Sequence, residues 1–151
     1  MKKIITFSLI TLMLGATTVA QEQEGSKKSK FQVSFGYPLG THGMDTDYVN
    51  DFSFNILYGF NGGVDGFEYG GIFNYNSGNV KGLQIAGVAN INKGNTKGFQ
   101  WSGVANYNTL DTKGFQLSTA NITLGNIEGA QLGVFNVAKK VKGVQIGVFN
   151  Y

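Results

Sequence analysis

The sequence predicts an all-β chain built from tandem repeats of 14–16 residues. Three observations carry that prediction. A Gly-apolar-Gln motif returns at nearly fixed spacing between residues 65 and 151. The segments between motifs are rich in Val, Ile, Phe and Tyr and alternate over four or five residues, which is the pattern of strands. Gly, at 23 of 151 residues, and Asn are both abundant and both poor helix formers.

The chain opens on Met1-Lys2-Lys3, followed by an uncharged apolar run from Ile4 to Leu14. That run is too short to span a bilayer comfortably. Thr18-Val19-Ala20 then sets small residues at the −3 and −1 positions before Gln21. Residues 1–20 therefore read as a secretory signal peptide. No Cys follows the run, so no lipid attachment at a lipobox is expected. The signal carries Lys2 and Lys3 and no acid, so its removal lowers the formal charge from +3 to +1. The remaining basic residues are not a clustered face of the kind nucleic acid requires, and no nucleic-acid partner is expected. Residues 21–30 mix Glu22 and Glu24 with Lys27, Lys28 and Lys30 and read as a solvated polar tail.

Residues 31–64 hold N-terminal strands and an acidic loop. Strands are expected from Phe31 and from Phe52, and Asn61-Gly62 reads as a hairpin turn. Residues 65–151 are the repeat array. Units begin at Asp65, Lys81, Lys97, Lys113, Glu128 and Lys142. Gly stands second in each: Gly66, Gly82, Gly98, Gly114, Gly129 and Gly143. The fourth place holds Glu68, then Gln84, Gln100, Gln116, Gln131 and Gln145. An Asn returns near the end, at Asn74, Asn90, Asn106, Asn121, Asn136 and Asn150. Ser77-Gly78-Asn79, Lys93-Gly94-Asn95 and Leu124-Gly125-Asn126 are turns.

Two architectures fit the array. The preferred one is a β-solenoid with one repeat per coil. In the last unit Val144, Ile146 and Val148 alternate in one phase and Phe149 and Tyr151 in the other, as a corner beside Gly147 would require. One-residue insertions near Ala86 and Ser102 fall in neighbouring copies, as if one corner were lengthened in stacked coils. The recurring Gln and Asn would stack as ladders about 4.8 Å apart. The alternative is an antiparallel up-and-down barrel of about eight strands, of outer-membrane type. Charges are sparse in the strands, and Phe67, Phe99 and Phe115 at one end and Tyr75, Tyr107 and Tyr151 at the other could form aromatic girdles.

The Gly-apolar-Gln-apolar-Gly-apolar-x-Asn units resemble those of the bacterial surface-repeat proteins of the cell envelope. Tyr37-Pro38-Leu39-Gly40-Thr41, followed by Phe52-Ser53-Phe54-Asn55, resembles the N-terminal lead-in of that family. The resemblance covers residues 31–151. It implies an exported chain at the cell surface, outer membrane or periplasm and no established catalytic site. The chain stops on a repeat, without the distinct terminal segment expected of longer members, and so reads as a short member or a fragment.

Little in the chain points to catalysis. With no Cys there is neither a disulfide scaffold nor a thiolate metal site, and one His cannot make a multi-His site. His42 lies in a polar loop with no nucleophile elbow near it. Asp45, Asp47 and Asp51 are a weak Ca²⁺ candidate, lacking the central Gly and terminal Glu of an EF-hand. Gly59 to Val64 is Gly-rich but has no following helix to cradle phosphate. Glu68 reads as a solubilising charge at the edge of the array, and Trp101 as a core or lipid contact. The expected function is a structural or display role: the rows Gln84, Gln100, Gln116, Gln131, Gln145 and Asn74, Asn90, Asn106, Asn121, Asn136, Asn150 would face a partner, whether envelope glycan, protein or outer-membrane lipid. A membrane anchor or small pore is the alternative, and a carbohydrate-active solenoid the remote one. No cofactor and no enzyme activity are expected.

Overall fold

A computed structural model of the chain describes residues 27–151. The expected signal peptide (residues 1–20) and residues 21–26 of the expected polar tail lie outside the described residues.

The chain winds as a parallel β-solenoid of about six turns. Its strands in order are β1 (Lys27–Gly36), β2 (Leu39–Gly40), β3 (Tyr48–Asn55), β4 (Tyr58–Asn61), β5 (Gly63–Gly70), β6 (Phe73–Asn76), β7 (Val80–Ala86), β8 (Ala89–Asn92), β9 (Thr96–Ser102), β10 (Ala105–Asn108), β11 (Thr112–Leu117), β12 (Ala120–Leu132), β13 (Phe135–Ile146) and β14 (Phe149–Asn150). Each coil lays one strand on each of two faces. The first face runs β1-β3-β5-β7-β9-β11 and on into the C-terminal halves of β12 and β13. The second runs β4-β6-β8-β10 and on through the N-terminal halves of β12 and β13 to β14. All pairings between coils are parallel; the one antiparallel pair joins β2 to β1.

Repeats are in register. Gln84 pairs with Gln100, Gly82 with Gly98 and Lys81 with Lys97. That register excludes the antiparallel barrel, in which consecutive strands would run in opposite directions. It also corrects the hairpin at Asn61-Gly62, since β4 and β5 meet at a corner and each pairs parallel with another coil. The extra residue near Ala86 and Ser102 is a corner insertion: Trp101 to Ala105 holds three intervening residues where Leu117 to Ala120 holds two. The polar tail is shorter than the charge pattern suggests. Lys27 and Lys28 already pair with Tyr48 and Val49, and Lys30 lies inside β1.

The second-position glycines are fixed by the stack. All six have φ between +116° and +155°, a region L side chains avoid. A Cβ on Gly98 would sit 1.9 Å from the carbonyl oxygen of Gly82 in the coil before.

The polarity of the cross-section is inverted. Along β1, Gln32 and Ser34 point inward while Phe31, Val33 and Phe35 point to solvent. The same alternation buries Glu68, Gln84, Gln100 and Gln116 and leaves Phe52, Phe54, Phe99 and Trp101 outside. The buried apolar residues are few, chiefly Val64, Val80, Ala86 and Ile127. A two-faced coil presents the same inward side chain at every level. An amide in that place can bond its own copy above and below, so its burial is not penalised as that of an unpaired polar group would be.

Candidate functional site

The period-two alternation carries Gln at the fourth repeat place and Asn on the facing strand into one interior. Gln100 Nε2 donates to Gln84 Oε1 at 2.8 Å, Gln116 to Gln100 at 2.9 Å, Gln131 to Gln116 at 2.7 Å and Gln145 to Gln131 at 2.7 Å. Every donor in this row points toward the N-terminus. The facing row runs the other way. Asn74 Nδ2 donates to Asn90 Oδ1 at 2.9 Å, Asn90 to Asn106 at 2.9 Å, Asn106 to Asn121 at 3.0 Å, Asn121 to Asn136 at 2.9 Å and Asn136 to Asn150 at 2.8 Å. The same Nδ2 groups also donate to strand-end carbonyls of the next coil: Asn74 to Ile85, Asn90 to Trp101 and Asn106 to Leu117. The Asn row therefore ties each corner to the one below it.

A third column, Asn76, Asn92 and Asn108, lies two residues beyond the first Asn. Asn92 and Gln84 exchange hydrogen bonds in both directions, as do Asn108 and Gln100. This column has a signal in the sequence, since Asn-x-Asn at strand spacing places both amides on one face.

Most of the Gln and Asn singled out from the sequence are thus buried and bond one another. Gln145 is half-buried and Asn150 exposed, both in the last coil. Glu68, expected at a solvent edge, is wholly buried. It accepts from Gln84 Nε2 at 2.7 Å and from Asn76 Nδ2 at 2.8 Å, and also from Asn61 Nδ2. Its carboxylate stands at the donor end of the Gln row, where the aligned N–H groups favour negative charge. Burial wins over those hydrogen bonds and pushes the carboxyl up to about 7.

The acidic loop is engaged locally. Asp45 pairs with Lys27 and accepts from the Asp47 backbone N–H, and the lysine beside it holds its carboxyl below the usual range. Among the described residues no group of three His, Cys, Asp or Glu side chains is placed to hold a metal ion, so Asp45, Asp47 and Asp51 are not brought together as ligands. His42 stacks on Tyr48 at 3.9 Å, with its Nε2 3.2 Å from Asn50 Oδ1.

The acids of the array are spread out as well. Asp65 pairs with Lys81 at 3.1 Å, and Glu128 bridges Lys113 and Lys142 at 3.0 Å each. Asp111 accepts from the backbone and side chain of Asn126. Except for buried Glu68, all charged residues of 65–151 lie along one edge of the solenoid, where the second face turns into the first.

The opposite edge carries no charge. It is formed by Gly71-Ile72, Gly87-Val88, Gly103-Val104, Ser118-Thr119, Gly133-Val134 and Gly147-Val148. Ile72, Val88, Val104, Val134 and Val148 are all exposed there. An open groove of about 460 Å³ runs beside this edge, lined by Trp101, Leu117, Leu132, Val134 and Ile146. Trp101 is half-exposed on the outer surface rather than in a core. Stacked aromatics line both outer faces: Phe54 on Tyr69, Phe99 on Phe115, Tyr58 on Phe73 and Phe135 on Phe149, with centroids 5.0–5.2 Å apart. The signal for this surface was in the sequence, as the absence of any charge at the Gly-Val offset of each repeat. No protein-family model, curated protein or solved structure matches the chain.

Proposed function

We infer that the protein is an exported cell-envelope repeat protein with a structural and interaction role, and that its working surface is the uncharged edge with its flanking aromatic rows. The observation that carries this reading is the segregation of charge: one edge of the array holds the lysines and carboxylates, and the other holds only Gly, Ser, Thr and exposed Ile and Val. A row of exposed apolar side chains kept free of charge is the kind of surface that contacts protein or membrane. The amide rows supply rigidity behind that surface. A non-catalytic role is favoured because Asp65, Glu68, Asp111 and Glu128 do not converge and each is engaged by neighbouring side chains. Export is supported by the N-terminal sequence, and an envelope address by the resemblance of the repeats.

Fractionation of cells expressing the full chain tests the reading. The wild type is expected to sediment with envelope membranes and to stay there through a salt wash. A variant carrying Ile72→Ser, Val88→Ser and Val104→Ser, with circular dichroism unchanged, is expected to move to the soluble fraction. Identical fractionation of the two proteins would refute the assignment of the working surface.

A further inference from the structure

Glu68 stands where the following coils have glutamine, and the hydrogen-bond pattern around it is one donor short. In the next coil Gln84 Nε2 donates to Asn92 Oδ1 at 3.1 Å, and Asn92 Nδ2 donates back to Gln84 Oε1 at 2.8 Å. Gln100 and Asn108 repeat the exchange at 3.3 and 2.7 Å. Around Glu68 only half of it survives, the bond from Asn76 Nδ2 to Glu68 Oε2 at 2.8 Å. Asn76 Oδ1 has no partner, the one buried side-chain oxygen or nitrogen so left among the described residues. The amide cannot be turned over to cure this. Its Nδ2 also donates to Asn92 Oδ1 at 3.2 Å, and reversal would set two carbonyl oxygens against each other.

The correspondence between coils identifies the missing atom. Glu68 Oε2 receives from Asn76 and from Gln84, as Gln84 Oε1 receives from Asn92 and from Gln100. Glu68 Oε1 therefore occupies the place of the Gln Nε2, the atom that donates to the Asn Oδ1 in the next two coils. A carboxylate has nothing to donate; a carboxylic acid has one hydrogen. We propose that Glu68 and Asn76 form a proton-binding site, in which a proton on Glu68 Oε1 is donated to Asn76 Oδ1 and completes the exchange seen in the coils that follow.

The surroundings favour the neutral form. The side chains facing Glu68 are Ser53 from β3, Asn61 from β4, Asn76 from β6 and Gln84 from β7, none of them charged. The charged residues of β3, β5 and β7 (Asp51, Asp65 and Lys81) are exposed on the outer surface, and Tyr58, Tyr69 and Tyr75 alternate outward from their strands. Among the described residues no lysine side chain faces Glu68, and desolvation is the largest influence on the group. With the proton bound the row is complete. Without it the interior holds a charge and an orphaned carbonyl.

The folded carboxyl is raised from 4.5 to about 7, so the folded state binds the extra proton between those values. Stability is thus full below the unfolded value and is lost as pH rises through about 7. Thermal unfolding of the full chain and of Glu68→Gln, followed from about pH 5 to about pH 9, tests this. The wild-type midpoint is expected to fall relative to the variant by on the order of 10 °C across that range. A parallel pH course in the two proteins would overturn the proposal. Carbon-13 titration of the glutamate carboxyls in the folded wild type decides the matter independently, even if the variant does not fold. One carboxyl should keep its proton well above the ordinary glutamate value; if all of them titrate as ordinary glutamates, the site does not exist.

Discussion

Replacing Gln100 by Leu tests the inverted cross-section directly. The side chain donates to Gln84 Oε1 at 2.8 Å and Asn108 Oδ1 at 3.3 Å, and accepts from Asn108 Nδ2 at 2.7 Å and Gln116 Nε2 at 2.9 Å. Leucine has comparable bulk and no polar atom, so all four bonds are lost. Most of the former partners keep another. Gln84 Oε1 still accepts from Asn92, and Asn108 Nδ2 still donates to Thr112. Gln116 Nε2 keeps no side-chain partner and becomes a buried orphan. Lost bonds at about 1 kcal/mol each, with part of that recovered by apolar burial, and a desolvation cost of about 1–3 kcal/mol for the orphan, give a destabilisation of about 3–4 kcal/mol. The neighbouring Trp101→Ala removes a much larger apolar side chain, but one that is half-exposed. Its loss is expected to cost about 2 kcal/mol. Urea unfolding followed by circular dichroism gives both values. In a conventional core the tryptophan would dominate. If Trp101→Ala proves the more damaging change, the amide rows do not carry the stability of this fold.

Two further outcomes follow from the stack and its charged edge. Gly98→Ala places a Cβ 1.9 Å from the Gly82 carbonyl oxygen at a φ of +139°, so the variant is expected to lose more than about 3 kcal/mol or fail to fold, as read by thermal denaturation; a loss under about 1 kcal/mol would show that coils can separate locally. The lysines flanking Glu128 hold its carboxyl below the ordinary value, so its contribution is present above the unfolded value and fades as pH falls through the depressed one. A small acid-side loss of stability, weakened by salt, should be present in the wild type and absent in Glu128→Gln.

How much of this was legible in the sequence can be judged residue by residue. The repeat boundaries, the Gly column and the corner insertion at Ala86 and Ser102 were readable because stacking demands one residue type at one place. The phase switch beside Gly147, the corner insertions in neighbouring copies and the recurring Gln and Asn together favour the solenoid over the barrel, and the fold is a solenoid. The orientation of the rows was not readable. Alternation in Leu83-Gln84-Ile85 says that Gln and its neighbours face opposite ways, but not which way is in. The ordinary expectation that apolar residues face inward is overridden here because an amide can bond its own copy in the next coil, which no single unit reveals. For the same reason Glu68 looked like an edge charge. Its burial comes from the fold: its strand is flanked by β3 and closed over by β4 and β6.

The two amide rows also separate what holds the molecule together from what it presents. The Gln donors all point toward the N-terminus and the Asn donors toward the C-terminus. The third column, Asn76, Asn92 and Asn108, also donates toward the C-terminus, so the Gln row opposes both Asn columns. Glu68 closes the Gln row at its donor end, accepting from Gln84. Folding of this kind uses the outer side chains only in part. Phe99, Trp101, Val104 and Val134 are exposed at 37%, 50%, 54% and 40%, so a large share of their apolar area stays in water in the isolated chain. Polar residues at those places would satisfy the same backbone ladders and the same interior. On the proposed reading their apolar character serves a contact outside the chain, made at the charge-free edge they border.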